Sequence, residues 1–138
     1  SALKMGETIH IPSCCYEIEE YIHGPNLQLT PQYNVIFFDG NDSASRRVEQ
    51  VYKATRKVSN RAYLISNNPQ LSSDDHVLSL SDTVSSELCP LVYLPFVQLL
   101  SFIVSNDLHS IYQHPLLKEF KAIAAAKTEN FVNYDGDD

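Results

Sequence analysis

The sequence predicts an α/β fold of three layers, αβα, with helices on both sides of a mainly parallel sheet. Three observations predict it. Residues 35–38 and 62–65 are short apolar runs without polar alternation, each ending in turn-forming residues, the pattern of strands covered on both faces. Between them, Val48, Val51, Tyr52 and Thr55 recur at helical spacing within residues 43–57. Strand, helix and strand within about thirty residues make a βαβ unit, expected to cross over right-handed. A third, shorter run at 76–80 extends the sheet.

Taken in chain order, residues 2–10 have helical character from the outset with no capping residue ahead of them, so sequence upstream is expected. Residues 13–16 form a candidate fourth strand. The first long strand ends in Asp39-Gly40, and Asp42 or Ser43 is placed to cap the helix at 43–57. Arg46, Arg47, Lys53, Arg56, Lys57 and Arg61 alternate with Glu49 and apolar residues there, which reads as a solvated helix face. The second strand closes on Ser66-Asn67-Asn68-Pro69. Residues 87–104 read as a mostly apolar helix packed on the sheet, with an irregular start imposed by Pro90 and Pro95. The domain is expected over residues 1–110 and a tail over 111–138, with the acidic residues 133–138 fraying.

Composition narrows the function classes. The 138 residues are 43% hydrophobic and 20% charged, which suits one domain or a piece of one. A net charge of -7 and a pI near 5.1 argue against nonspecific binding to nucleic acid or an anionic membrane. Cys14, Cys15 and Cys89 are odd in number and show no CxxC spacing, so buried thiols in a reducing, cytoplasmic compartment are expected. No signal-peptide pattern is read, and Pro95 and Gln98 interrupt the longest apolar run, so no membrane span is expected. His10, His76, His109 and His114 are scattered without ligand spacing, and neither metal nor cofactor is implied.

The stretch Glu19-Glu20-Tyr21-Ile22-His23-Gly24-Pro25 is too polar for a core strand and sets an imidazole directly before Gly-Pro. Sixteen positions before His23 lies Glu7, in Ala2-Leu3-Lys4-Met5-Gly6-Glu7. A-L-K-x-x-E followed at this distance by E-x-x-H-G-P resembles the second sugar-isomerase (SIS) domain of phosphosugar isomerases. That group includes the isomerase part of glutamine-fructose-6-phosphate aminotransferase and the fructosamine-6-phosphate deglycases. The resemblance covers roughly residues 1–110 and implies a partial SIS domain. It implies Glu7 as the acid/base that moves a proton between C1 and C2 of an open-chain sugar phosphate. It implies His23 as the residue that helps open the sugar ring, reaching the site of a neighbouring subunit in a homodimer.

Those roles agree with the chemistry. Aldose–ketose interconversion removes a weakly acidic proton beside a carbonyl or imine and returns it one carbon away, which one partly buried carboxylate can do. Ring opening needs a group that exchanges protons near neutrality, as imidazole does. Each residue also has a plainer reading: Glu7 as a solvated glutamate at a helix end, and His23 as a histidine bonded to a backbone carbonyl. Glu20 is expected to bond backbone amides of the loop holding His23. Lys4, one turn before Glu7, either tunes that carboxylate, reaches a substrate oxygen or forms a surface i,i+3 pair.

The family holds the sugar phosphate on an S-x-S-G-x-T loop at a helix start. The matching turn here, Asp39-Gly40-Asn41-Asp42-Ser43-Ala44-Ser45, sets two carboxylates where the anion would sit. The phosphate is therefore expected on the first SIS lobe, which this chain lacks. Some relatives bring a tail lysine into the site; Lys127 is the nearest counterpart, and an exposed helix lysine is the plainer reading. The expected function is that of the carboxyl-terminal lobe of an isomerase or deglycase acting on fructose 6-phosphate or a phosphorylated fructosamine. The alternative is a non-catalytic SIS module for sugar-phosphate sensing or dimerisation.

Overall fold

The computed structural model of the chain describes residues 2–80, 84–108 and 123. Its elements run α1 (Ala2–Ile9), α2 (Ile18–Ile22), a 3-10 turn (Pro25–Gln28), β1 (Val35–Phe38), α3 (Ser45–Arg56), β2 (Ala62–Ser66), a second 3-10 turn (Pro69–Leu71), β3 (Val77–Ser79) and α4 (Cys89–Asp107). The three strands pair in the order β1-β2-β3, all parallel. Val35 stands opposite Ala62, and Leu64 opposite Val77. The chain is thus a small α/β fold built on a three-stranded parallel sheet.

Alternation along the strands divides the apolar side chains between two clusters. Phe37, Ala62 and Leu64 join Tyr21 of α2 and Val48, Val51 and Tyr52 of α3. Ile36, Phe38 and Ile65 meet Cys89, Tyr93 and Phe96 of α4. Edge-on ring contacts of Tyr21 and Tyr52 with Phe37 hold the first cluster, in the geometry that aromatic quadrupoles favour. The four inward residues expected for α3, Val48, Val51, Tyr52 and Thr55, are the ones it buries.

Three details depart from expectation. Residues 12–17 form no strand: Cys14, Cys15 and Tyr16 are exposed, and among the described residues no strand lies beside them to supply ladder hydrogen bonds. The cap position of α3 falls on Ala44, which lacks a capping side chain, while the Asp42 carboxylate accepts from the Ala44 amide at 2.7 Å. Cys14 and Cys15 are exposed free thiols, and only Cys89 is buried.

α4 begins two residues later than expected and continues through Pro95 and Gln98 to Asp107. Pro90 sits in the first turn, where a missing N–H costs nothing. Among the described residues α4 is the one helix long and apolar enough to cross a membrane by length and composition. Its buried residues are Cys89, Tyr93, Val97, Ser101 and Ser105, a row at four-residue spacing. α1 lies against this helix, where the Ser101 hydroxyl meets the Met5 sulfur at 3.5 Å.

Candidate functional site

The motif residues sit on the two short helices that precede the sheet. α1 carries Lys4 and Glu7 on its exposed side, while Ile9 is turned inward. His10, at φ 60°, ends the helix in the left-handed region, its amide bonded to the Gly6 carbonyl at 3.2 Å. Thr8 Oγ1 donates to the Lys4 carbonyl at 2.8 Å. Lys4 and Glu7 are one turn apart on the surface, and no ion pair between them is found among the described residues.

α2 is a single turn of helix held at both ends. Glu17 caps its start, its carboxylate accepting from the amides of Glu19 and Glu20 at 2.9 and 3.3 Å. This is the role that the sequence suggested for Glu20, moved three residues upstream. His23 closes the helix, its amide bonded to the Glu20 carbonyl at 3.2 Å, and the exposed ring stands immediately before Gly24 and Pro25. Glu19 pairs with Arg47 of α3 at 2.8 Å. The Arg47 bond, helped by the nearby His23, holds the Glu19 carboxyl below its ordinary pKa. Tyr21 fixes the helix from beneath: its ring is buried, its hydroxyl lies 3.2 Å from Thr55 Oγ1, and burial raises its pKa.

No hydrogen bond or ion pair among the described residues joins Glu7 to His23, and α1 packs on α4 whereas α2 packs on α3. Neither residue lines either of two clefts. Lys127 lies outside the described residues.

The first cleft, about 560 Å³, runs between α2, the turn after it and α3, and is floored by Ile22, Leu29, Val51 and Ala54. Asn26 Oδ1 on its wall is buried without a hydrogen-bond partner among the described residues, and Leu27 at its rim is 85% exposed. A buried carbonyl oxygen without a donor is costly, so this wall is suited to receive one from outside.

The second cleft, about 350 Å³, opens at the carboxyl ends of β1 and β2 and is lined by Asp39, Asn41, Ser45, Glu49, Asn67 and Asn68, among others. Crevices at strand carboxyl ends are where open parallel sheets bind ligands. Asp39 organises this end. Its Oδ1 accepts from the Asn41 amide at 3.0 Å and from Ser45 Oγ at 2.5 Å, and its Oδ2 accepts from Ser66 Oγ at 2.7 Å. Its carbonyl accepts from the Tyr93 hydroxyl at 2.5 Å. Burial, then Cys89, pushes the Tyr93 pKa up, so the phenol stays a donor. Asn41, at φ 52°, turns the loop through a conformation that asparagine tolerates.

The turn at residues 39–45 is therefore satisfied from within. Asp39 and Asp42 occupy the amides of Asn41 and Ala44, and the Asp42 amide donates to Ser45 Oγ at 3.0 Å. An incoming phosphate would have to displace two carboxylates from amides they already hold. What the cleft offers instead is amide and carboxylate oxygen, the Asn67 and Asn68 side chains and the Arg46 guanidinium, a set suited to hydroxyl groups. Sequence reasoning placed the acids of this turn but missed Ser66 and Tyr93, whose links to Asp39 span 27 and 54 residues. No protein-family model matches the chain, and no curated protein sequence matches it significantly.

Proposed function

We propose that the chain is the carboxyl-terminal lobe of a phosphosugar aldose–ketose isomerase or fructosamine-6-phosphate deglycase, a partial SIS domain with three-layer αβα architecture. One observation carries the reading: Glu7 lies in the last turn of α1, His23 closes α2 directly before Gly24-Pro25, and β1, α3, β2, β3 and α4 follow in the order the resemblance implies. In this reading Glu7 moves the proton between C1 and C2, and His23 assists ring opening in a neighbouring copy. Lys4 supports Glu7 from one turn away. The missing first lobe holds the phosphate, in keeping with the internally satisfied turn at 39–45. Exposure of Glu7 and His23 accords with a site completed by a second lobe and a second copy, and Asn26 Oδ1, three residues after His23 and without a partner among the described residues, favours a contact along residues 16–25.

The test uses the intact protein with its upstream lobe. Glu7→Gln keeps the side chain's shape but cannot accept a proton, so solvent deuterium should no longer enter C1 of fructose 6-phosphate or of a phosphorylated fructosamine, nor C2 of the aldose product, while binding stays within about threefold of wild type. Exchange at the wild-type rate in the variant would remove Glu7 from the mechanism. A second reading, a non-catalytic SIS module that senses a sugar phosphate or supports dimerisation, is favoured by Glu7 and His23 lining neither of the two clefts. Binding of the sugar phosphate without any exchange in wild-type protein would select it.

A further inference from the structure

Cys14 and Cys15 are adjacent and both exposed, whereas Cys89 is buried beside Ile65 and Tyr93. The proton-transfer reading uses neither exposed thiol. Both lie in the link between α1 and α2, residues 10–17. Among the described residues no backbone–backbone hydrogen bond involves residues 11–16, and no strand lies beside them. Neither ladder nor helix therefore fixes the backbone that carries the two thiols.

Tyr16 adjoins the pair, and hydrogen bonding with the Cys14 thiol is the first cause of its raised pKa. A phenol that keeps its proton donates to the sulfur when the thiol ionises, and the thiolate is the form that reacts. An exposed thiol with a second thiol next to it to resolve the first product has the makings of a redox-sensing pair. We propose that Cys14 and Cys15 are a redox modification site, closed by a hydroperoxide into a vicinal disulfide that unseats the cap of α2.

One thiolate attacks a peroxide oxygen. The O–O bond breaks, the sulfur becomes a sulfenic acid, and the departing oxygen takes a proton to leave as water or alcohol. The neighbouring thiolate then attacks the sulfenic sulfur, the S–S bond forms, and the sulfenic hydroxyl leaves with a proton as water. The dithiol loses two hydrogens and two electrons, and the peroxide gains those electrons. Closure within the pair outruns pairing with another chain because the second sulfur is held one peptide unit away. Cys89, at 3% exposure, does not compete.

Neighbouring Cα atoms lie about 3.8 Å apart, below the roughly 4.4 Å at which ordinary disulfides begin, so the bond distorts the backbone as it forms and is readily reduced again. The distortion falls on residues 11–17. Glu17, two residues after Cys15, is the residue whose carboxylate holds the amides of Glu19 and Glu20. Moving its backbone takes that acceptor away from the start of α2, the helix that His23 closes. None of this depends on the SIS reading.

The experiment treats the full 138-residue chain with hydrogen peroxide, alkylates the remaining thiols, and follows peptide mass and amide hydrogen exchange. The tryptic peptide of residues 5–46 should lose two hydrogens and escape alkylation. Cys89 should be alkylated once the protein is denatured, and dithiothreitol should reopen the disulfide. Exchange at residues 19–23 should run at least about threefold faster in the oxidised protein and recover on reduction. Glu17→Ala, already uncapped, should close the same disulfide without further acceleration. Cys14→Ser and Cys15→Ser should each stop at a sulfenic acid that dimedone traps, with wild-type exchange at 19–23. Wild-type thiols that end as dimedone adducts or as disulfides between chains, or that are still alkylated after peroxide, would overturn the site. A disulfide that leaves exchange at 19–23 unchanged would overturn its effect on α2.

Discussion

The Ser66 hydroxyl donates to the Asp39 carboxylate at 2.7 Å, tying the last residue of β2 to the first residue after β1. Both side chains are buried, Ser66 fully and Asp39 at 6% exposure. The Asp39 carboxylate is therefore the group that assembles this turn. Three donors converge on it, and the same residue's carbonyl receives Tyr93 from α4.

Asp39→Ala should accordingly destabilise the domain by about 2–4 kcal/mol, because it strands Ser66, Ser45 and the Asn41 amide without their acceptor. Urea denaturation followed by circular dichroism measures this. A change below about 0.5 kcal/mol would show that the network is replaceable by water.

Asp74 accepts from the His76 amide at 2.9 Å and from the Tyr52 hydroxyl at 2.8 Å. The His76 amide first, and then Tyr52, lower the Asp74 pKa. A lowered folded pKa gives stability that is present above the unfolded value of about 3.9 and lost as pH falls through the folded value. Thermal unfolding should show stability declining below about pH 4, with a shallower decline in Asp74→Asn. Parallel pH profiles for the two proteins would contradict the assignment.

Glu17→Ala should cost about 1 kcal/mol by removing the cap of α2, whereas Glu20→Ala should be nearly neutral. Amide hydrogen exchange at residues 19–23 offers the direct reading: faster exchange in the first variant and wild-type protection in the second. The reverse order would restore the cap to Glu20.

The isolated chain should show no measurable isomerase or deglycase turnover. Binding of the phosphate dianion is what holds the reacting carbons against the base in such chemistry, and the amides of the turn at 39–45 are already held by Asp39 and Asp42. Calorimetry with fructose 6-phosphate should detect no binding, and on the proposed reading supplying a first SIS lobe should restore both binding and turnover. Clear turnover by the chain alone would place the phosphate site in this lobe.

The sequence by itself determined the elements whose signal is local. The apolar runs at 35–38, 62–65 and 76–80 became the three parallel strands, with shifts of a residue or so at the ends. Val48, Val51, Tyr52 and Thr55 are the inner face of α3 because a 3.6-residue period leaves few other solutions. Glu7 and His23 stand sixteen positions apart in the sequence, a spacing that no contact among the described residues joins into a site. Only the tertiary structure decided what depends on neighbours distant in the chain. Residues 13–16 have no strand beside them among the described residues, and a strand exists only through its partner's hydrogen bonds. Asp39 looked like an open turn acid until Ser66 and Tyr93 closed on it from β2 and α4. α4 was readable as apolar, but which side it buries was not: its hydrophobicity runs all the way round, so packing against α1 and the sheet chose the row from Cys89 to Ser105 and left Leu91, Leu99 and Phe102 outside.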